Sequence, residues 1–221
     1  MEGSRGLGDV YKRQVIGPSI GGLMALEFCT MFPQYVKKLI SISSGYKLST
    51  LQTLHNLEQA YILDLGRESN NRNTEYLSLA RMVAHKTYIS LELLSNRAKS
   101  ETLYDDGLIK GFLSTPQESY MMHQGEKFIE RFTPESYLSI IKGWQNFKIE
   151  QEDLNKLKDI ETLVISVDSD VCFYPDEQKD FSAVLNNYEI NTTYTTINST
   201  KGHDSFLLEP ELFEDTLKNF L

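Results

Sequence analysis

The chain has 221 residues, of which 40% are hydrophobic and 24% charged, and this length and composition are typical of one globular domain with a sizeable core. Its formal net charge of −9 argues against nucleic acid as a partner, because proteins that bind a phosphate backbone usually carry the opposite balance. No apolar run reaches the roughly 18 residues of a membrane span, so we expect no membrane partner. Two cysteines are too few for a disulfide framework, which favours a reduced, cytoplasmic setting.

The front of the chain differs in pattern from everything after it. Residues 4–14, SRGLGDVYKRQ, mix glycine with basic residues and show no apolar periodicity. The string resembles an in-frame translation of a sequencing-library adapter, so we interpret residues 1–14 as a non-native tail. Native sequence is then expected to begin near Val15, inside a buried strand. A short natural tail is the alternative.

The first predicted elements are a strand, a helix and a second strand. From Ser19 onward apolar residues recur at helical spacing until Pro33, which breaks the pattern. Residues 36–43, VKKLISIS, end in a β-branched apolar run and predict a buried strand. Residues 50–150 then show helical spacing with almost no strand signal, and residues 66–73 are their most loop-like stretch. We therefore expect a helical insertion after the second strand.

Strand character returns in the last third of the chain. Residues 162–167, TLVISV, and 192–197, TTYTTI, predict strands, and a helix is expected after each. This order of elements predicts an α/β fold with a mostly parallel sheet, and it resembles the C-terminal part of an α/β-hydrolase. We assign residues 15–49 and 151–221 to its core, with the front half missing, and residues 50–150 to a helical cap.

Residues 17–21, GPSIG, fit the G-x-S-x-G pattern of a nucleophile elbow. In such an elbow a serine, here Ser19, lies on a strained turn between a strand and a helix, and small residues on either side allow the two elements to approach. The backbone N–H of Ile20 is then placed to stabilise an oxyanion. A glycine-rich turn without catalytic use is the alternative interpretation.

A nucleophilic serine requires a base, and the base requires an orienting carboxylate. In this fold the carboxylate follows the strand after the cap, and the histidine follows the last strand. The sequence offers Asp168 and Asp170 at the first place and His203 at the second. The pattern leaves the choice between the two aspartates open. No His/Cys cluster has the spacing of a metal site, so we expect no metal and no cofactor.

Five segments in order resemble the homoserine O-acetyltransferase family. They are IGPSIGGLMALEF, LARMVAHKTYIS, ESYMMHQGEKFIERFTPESYL, SDVCFYPDEQ and GHDSFLL, and together they cover the chain from Val15 to about Leu208. Two elbow residues depart from the family, which often has Gly and Met where this chain has Pro18 and Ile20. The departures leave the serine, aspartate and histidine untouched.

The resemblance implies roles for individual residues. Asp170 takes the position of the acid, which completes a triad of Ser19, Asp170 and His203. Arg81 is implied to pair with the carboxylate of an amino-acid substrate, where a guanidinium can bind both oxygens. Asp204 is implied to meet the ammonium group of the same substrate.

The resemblance also implies a reaction: acetyl transfer from acetyl-CoA, a co-substrate, to the hydroxyl of L-homoserine through an acetyl-serine intermediate, in methionine biosynthesis in the cytoplasm. Cap helices would exclude water from the intermediate, and homodimerisation through the cap is implied. Three alternatives stay open: a transferase that uses serine or a succinyl donor, an esterase, and a non-catalytic binding fragment. With the front half absent, we expect these 221 residues alone to be inactive.

Overall fold

A computed structural model of the chain describes residues 14–68, 73–98 and 115–221. These residues form two compact units. The core unit consists of the described residues up to Lys47 together with Lys148–Ser199 and His203–Leu221. The helical unit consists of the described residues of Leu48–Phe147 together with Thr200–Gly202.

The core unit contains a parallel sheet of four strands in the order β1-β2-β3-β4. The strands are β1 (Gln14–Pro18), β2 (Lys38–Ile42), β3 (Glu161–Val167) and β4 (Thr192–Ile197). β2 and β3 are almost wholly buried, which explains why their sequences are apolar runs and not alternating patterns. Because every pairing is parallel, the carboxyl ends of the strands meet at one edge of the sheet.

The described residues form nine α-helices, numbered along the chain. They are α1 (Ile20–Met31), α2 (Thr50–Glu68), α3 (Asn73–Tyr88), α4 (Leu91–Arg97), α5 (Pro116–Ile129), α6 (Pro134–Gln145), α7 (Pro175–Asn187), α8 (Ser205–Leu208) and α9 (Glu211–Phe220). Two short 3-10 helices, Pro33–Tyr35 and Gln151–Leu157, complete the core unit. Helices α2 to α6 lie in the helical unit and the others in the core unit.

Helices cover both faces of the sheet. Leu39 of β2 packs in one apolar cluster with residues of α1 and α7, whereas the next residue, Ile40, packs in a second cluster with Phe213 of α9. Successive side chains of a strand point to opposite faces, so each face of β2 has its own layer of helices. This layered arrangement is the α/β class that the order of elements predicts.

Two details differ from the prediction. The sequence predicts that the chain enters in a buried strand, yet Ile16 in β1 is 52% exposed, because β1 is the outer strand of the described sheet and pairs there with β2. The expected non-native tail lies outside the described residues, except for Gln14, where β1 begins. Helix α2 also continues through Gly66 and Arg67, which the sequence assigns to a loop. Leu63, one turn earlier, is buried in the helical unit, and such packing extends a helix past a glycine.

The helical unit has an apolar core of its own. Its members come from α2, α3, α5 and α6, and they are Leu63, Leu77, Ala80, Phe128, Tyr137, Leu138 and Ile141. Thr115 and Thr133 begin α5 and α6 with reciprocal capping boxes, in which each threonine hydroxyl accepts a backbone N–H three residues later. The helical spacing of apolar residues, the N-terminal caps and the buried side chains therefore all indicate helices in this part of the chain.

Candidate active site

Ser19 lies on the tight turn between β1 and α1. Its backbone has φ 56° and ψ −131°, a conformation that residues other than glycine rarely adopt. Two hydrogen bonds hold the turn: the N–H of Ser19 donates to the carbonyl of Ile42 at 2.9 Å, and its carbonyl accepts from the N–H of Gly22 at 2.9 Å. The hydroxyl does not cap α1 and is available for another partner.

Close approach of neighbouring residues explains two of the glycines near the serine. A Cβ at Gly17 would lie 2.0 Å from the carbonyl oxygen of Gly21, and a Cβ at Gly22 would lie 2.4 Å from the Cβ of Ser44. At Gly21 itself the nearest atom, a Pro18 Cδ at 3.5 Å, is an ordinary contact. The elbow pattern points to Gly17 and Gly21, so it misses Gly22; the Gly-Gly pair is the sequence signal for it.

The structure brings Ser19, His203 and Asp170 into one hydrogen-bonded line. His203 Nε2 lies 2.8 Å from Ser19 Oγ, and His203 Nδ1 lies 2.8 Å from Asp170 Oδ2. The histidine and the aspartate are only 3% and 1% exposed. With Nδ1–H donating to the carboxylate, Nε2 is left to accept the proton of the serine hydroxyl. The arrangement can therefore activate a serine nucleophile.

The second oxygen of Asp170 is also fully engaged. Asp170 Oδ1 accepts the backbone N–H groups of Cys172 and Phe173, both at 2.8 Å. Hydrogen bonds from two fixed backbone donors satisfy a buried carboxylate and fix its orientation. Asp170 thus presents its other oxygen to His203 in one geometry.

Two aromatic rings enclose the imidazole of His203. Phe173 stacks on it with ring centroids 5.5 Å apart and planes at 19°, and Phe206 of α8 meets it edge-on at 5.6 Å and 89°. Packing on two sides restricts the rotation of the ring. Sequence reasoning identified neither phenylalanine as part of the site, although both flank triad residues in the chain.

Asp168, the other aspartate that the sequence offers, has a different partner. Its Oδ1 accepts the backbone N–H of Ser199 at 2.9 Å, and the hydroxyl of Ser169 donates to the carbonyl of Ser199. These bonds join the loop after β3 to the segment that leads to His203. Asp168 thus braces the loops of the site, and Asp170 is the aspartate that meets the imidazole.

Ile20 is the first residue of α1, where the structure places its N–H at the amino end of a helix of 12 residues. The first N–H groups of a helix have no intrahelical acceptor, and the helix dipole adds positive potential there. Ile20 directly follows Ser19, so an oxyanion formed on the substrate of Ser19 would meet this end of the helix.

Arg81 and Asp204, the two remaining predicted site residues, lie in different units. The guanidinium carbon of Arg81 lies 4.7 Å from the centroid of the Tyr88 ring and 4.9 Å from that of Phe128. Within the described ranges the guanidinium of Arg81 forms no ion pair or hydrogen bond, so its N–H groups can donate to a ligand. Asp204 directly follows His203, and its carbonyl accepts the N–H of Leu208 in α8.

Three other features would indicate a different function for the described parts of the chain: a reactive cysteine, a metal site and a membrane-spanning helix. Burial raises the pKa of the Cys29 thiol to about 12, which keeps this cysteine protonated and unreactive. Across residues 14–68, 73–98 and 115–221, no group of three His, Cys, Asp or Glu side chains could hold a metal ion. In those same ranges no helix combines the length and the apolar character needed to cross a membrane.

Comparison with known proteins gives one consistent result. The homoserine O-acetyltransferase of Methanosalsum zhilinae is 34% identical over 98% of this chain and 46% of its own length. The crystal structure of homoserine O-acetyltransferase from Bacillus anthracis superposes with a TM-score of 0.83 at 16% identity, over 95% of this chain and 60% of that one. Esterase E22 superposes with a TM-score of 0.81 at 16% identity, over 93% and 60%. No family model matches the chain.

The resemblance to homoserine O-acetyltransferases that the motifs predict is therefore confirmed along nearly the whole chain. The fold class is confirmed as well: it is that of a partial α/β-hydrolase with a mostly parallel sheet. The chain spans about half the length of the curated relatives it matches. Because an acetyltransferase and an esterase both superpose on this chain, the fold alone does not distinguish between their functions.

Proposed function

We propose that the chain is part of an acyltransferase that moves an acetyl group from acetyl-CoA to the hydroxyl of L-homoserine, in methionine biosynthesis. The observation that carries the proposal is the hydrogen-bonded line of Ser19, His203 and Asp170. Relatives that bear the name homoserine O-acetyltransferase support the choice of reaction. No step of the proposed reaction requires a metal or a resident cofactor.

In the first proposed step Ser19 attacks the thioester carbonyl of acetyl-CoA. His203 Nε2 takes the hydroxyl proton as the serine oxygen bonds to the carbonyl carbon, and Asp170 stabilises the imidazolium that results. The N–H of Ile20 donates to the oxyanion of the tetrahedral intermediate. Collapse of that intermediate breaks the carbon–sulfur bond, and the proton on His203 passes to the sulfur of the departing CoA.

In the second step the hydroxyl of homoserine takes the place of Ser19 as nucleophile. His203 removes its proton, the oxygen attacks the acetyl-serine, and Ser19 leaves with the proton returned by His203. Arg81 is proposed to bind the carboxylate of homoserine, and Asp204 its ammonium group. A planar guanidinium suits a carboxylate because it can donate two parallel hydrogen bonds.

An esterase is the second candidate, and a specific observation favours it: the fold superposes equally well on esterase E22. Serine acetyltransfer and homoserine succinyltransfer are the other candidates within the acyltransferases. All use the same triad, and they differ in the group that accepts or donates the acyl unit. The guanidinium of Arg81 forms no ion pair with any residue in the described ranges, and this favours an amino-acid acceptor over water.

A homodimer is the assembly that we propose for the full-length protein. Five apolar side chains of α2, between 38% and 62% exposed, lie within one 120° sector of the helix: Leu51, Leu54, Leu57, Tyr61 and Leu65. An apolar stripe of this kind is typical of a helix that packs against another surface. A second copy of the helical unit is the partner that the resemblance suggests.

We propose that the protein works in the cytoplasm, and that the 221 residues expressed alone are inactive. Both described cysteines are free thiols, as in a reduced compartment. The chain covers 46% of its relative from Methanosalsum zhilinae, so more than half of a protein of that length would lie beyond it. Appreciable turnover by the 221 residues alone would overturn the second statement.

The deciding experiment uses the full-length protein, with its coding sequence recovered from the same source DNA. CoA release from acetyl-CoA is followed with homoserine, with serine and with neither. Release that depends on homoserine is the expected result. Release that depends on serine would reassign the acceptor, and equal release without an amino acid would make the protein an esterase.

A further inference from the structure

A cavity of about 300 Å³ in the helical unit has a cationic lining. Its walls come from α3, α5 and the turn that follows α5, and they are Arg81, Gln124, Lys127, Phe128, Glu130 and Arg131. Three of these side chains are positive and one is negative, which leaves a net charge of +2. This volume lies at the lower end of the range for ligand sites, about 300–1,000 Å³.

None of the three cations forms an ion pair within the described residues, although Glu130 lies in the same lining. Lys127, Arg131 and Arg81 appear in no ion pair there, whereas other lysines of the chain, such as Lys156 and Lys218, pair with carboxylates on their own helices. Like charges around one cavity repel each other, which destabilises the unliganded state. A bound anion would relieve that repulsion.

Aromatic rings line the same region and complete the site. The guanidinium of Arg81 lies 4.9 Å from the centroid of Phe128, and that of Arg131 lies 5.9 Å from that of Phe132. The two rings stack on each other with centroids 4.4 Å apart. The ring contacts restrict the positions of the two guanidinium groups, so less conformational freedom is lost when they bind an anion.

The charge of the cavity exceeds what the proposed acceptor uses. Homoserine is a zwitterion whose carboxylate is satisfied by one guanidinium, assigned above to Arg81, and its ammonium group would be repelled by further cations. The positive charges of Lys127 and Arg131 are therefore not needed to bind homoserine. The donor, in contrast, carries a pyrophosphate and a 3′-phosphate, and a phosphate monoester has a charge of about −1.5 to −2 at pH 7.

We propose that Lys127 and Arg131 form a phosphate-binding subsite for the acyl-CoA donor. The inference rests on the proposed function, because it takes acetyl-CoA as the donor. The pantetheine arm separates the phosphates of CoA from its thioester, so the phosphates do not need to bind beside the reacting carbonyl. The two substrates bind in turn, since CoA leaves before the acceptor attacks, and an anion from each can use the cavity without a clash.

The test compares donors with and without phosphate groups in the full-length protein. In the Lys127→Gln/Arg131→Gln variant we expect the KM for acetyl-CoA to rise about tenfold or more, because each lost contact is a hydrogen bond between charged groups. The KM for acetyl-pantetheine, which lacks phosphates, should not change. Lys142→Gln removes an exposed cation of α6 outside the cavity and should leave both values as they are. Lys127→Arg/Arg131→Lys keeps both charges and should retain most of the preference for acetyl-CoA.

A binding measurement separates failure of the subsite from failure of the proposed reaction. Adenosine 3′,5′-bisphosphate carries the 3′-phosphate and the inner 5′-phosphate of CoA without its thiol, and calorimetry should detect its binding to the wild type and to Lys142→Gln but not to the double glutamine variant. Equal binding to all three, or none to the wild type, would overturn the subsite whatever the activity. If the bisphosphate binds as expected but acetyl-CoA is not consumed, the subsite stands as an anion site and the proposed reaction fails.

Discussion

Asp168 accepts a 2.9 Å hydrogen bond from the backbone N–H of Ser199, four residues before His203. The hydroxyl of Ser199 in turn lies 2.6 Å from a carboxylate oxygen of Glu209. Ser199 thus joins the loop after β3 to the residues that follow α8. The two aspartates of the loop consequently have separate tasks: Asp170 contacts the imidazole, and Asp168 fixes the path of the chain that carries it.

Substitution of the two aspartates should separate these tasks. We expect Asp170→Ala to lower kcat about 10⁴-fold, because His203 loses the partner that sets its tautomer. Asp168→Ala should lower kcat about tenfold at most, and lower the free energy of unfolding by about 1–3 kcal/mol for the lost hydrogen bond. Steady-state CoA release at saturating substrates gives kcat, and urea unfolding gives the free energy of unfolding. A kcat loss of equal size in both variants would contradict the assignment.

Gly22, in the first turn of α1, has no room for a side chain. Gly22→Ala places a Cβ 2.4 Å from that of Ser44, so we expect it to lower the free energy of unfolding by about 1–3 kcal/mol through overpacking. Gly143→Ala, in α6 with nothing within 4 Å of the new Cβ, is the matched control and should raise it by about 0.5–1 kcal/mol. Ser44→Gly should rescue part of the Gly22→Ala loss. Wild-type stability in Gly22→Ala would show that the elbow relaxes freely.

His85 should make the helical unit sensitive to acid. Burial, with the nearby guanidinium groups of Arg81 and Arg97, lowers the pKa of His85 from 6.5 to about 4. Between pH about 6.5 and about 4, His85 is therefore protonated in the unfolded chain and neutral in the folded chain. The free energy of unfolding consequently falls as the pH drops through this range. From pH about 7.5 to about 4.5 this one residue should account for about 2 kcal/mol of the loss.

His85→Gln tests this expectation, since it removes the titrating group and keeps a side chain that can form a hydrogen bond with Tyr120. Urea unfolding at the two pH values should show a smaller loss for this variant than for the wild type. His123→Gln, which removes a half-buried histidine of α5, should keep the wild-type loss. An equal loss in all three proteins would rule out His85 as the cause.

Arg81→Ala should affect the acceptor and spare the first half-reaction. We expect the half-saturating homoserine concentration to rise about tenfold to a hundredfold, because a charge-assisted contact is lost. The rate of acetyl-enzyme formation from p-nitrophenyl acetate should stay near that of the wild type. Arg81→Lys keeps the charge but not the planar fork and should lie between the two. Equal effects on acylation and on homoserine saturation would remove the proposed role.

The apolar stripe of α2 should decide the oligomeric state of the full-length protein. We expect Leu57→Asp to shift it from dimer to monomer in sedimentation velocity, because a carboxylate buried in an interface is not paired. Leu91→Asp, at a residue of α4 that is 73% exposed and off the stripe, should remain a dimer. A dimeric Leu57→Asp would place the interface elsewhere.

Much of the core could be predicted because its signals are local. β3 is a buried and largely apolar run and β4 is rich in threonine, and the predicted bounds of both strands agree with the structure to within one residue. Topology also indicates where an acid and a base follow these strands. It cannot choose between Asp168 and Asp170, since both follow β3, and here the choice came from resemblance to a family. Gly22, Ser199 and Phe173 act through contacts with distant segments, which no local pattern records.

The residues that form the nucleophile and its base lie 184 positions apart in the chain. β1, β2 and α1 come before the helical insertion, whereas Asp170 and His203 come after it, so the site closes across the whole of the intervening sequence. Contacts of such long range are among the last to form, because the chain must first be ordered between them. During synthesis, the ribosome releases Ser19 long before it releases the histidine. A nascent chain that stops before His203 consequently carries an ordinary alcohol at Ser19, because the base that would activate it has not yet been made.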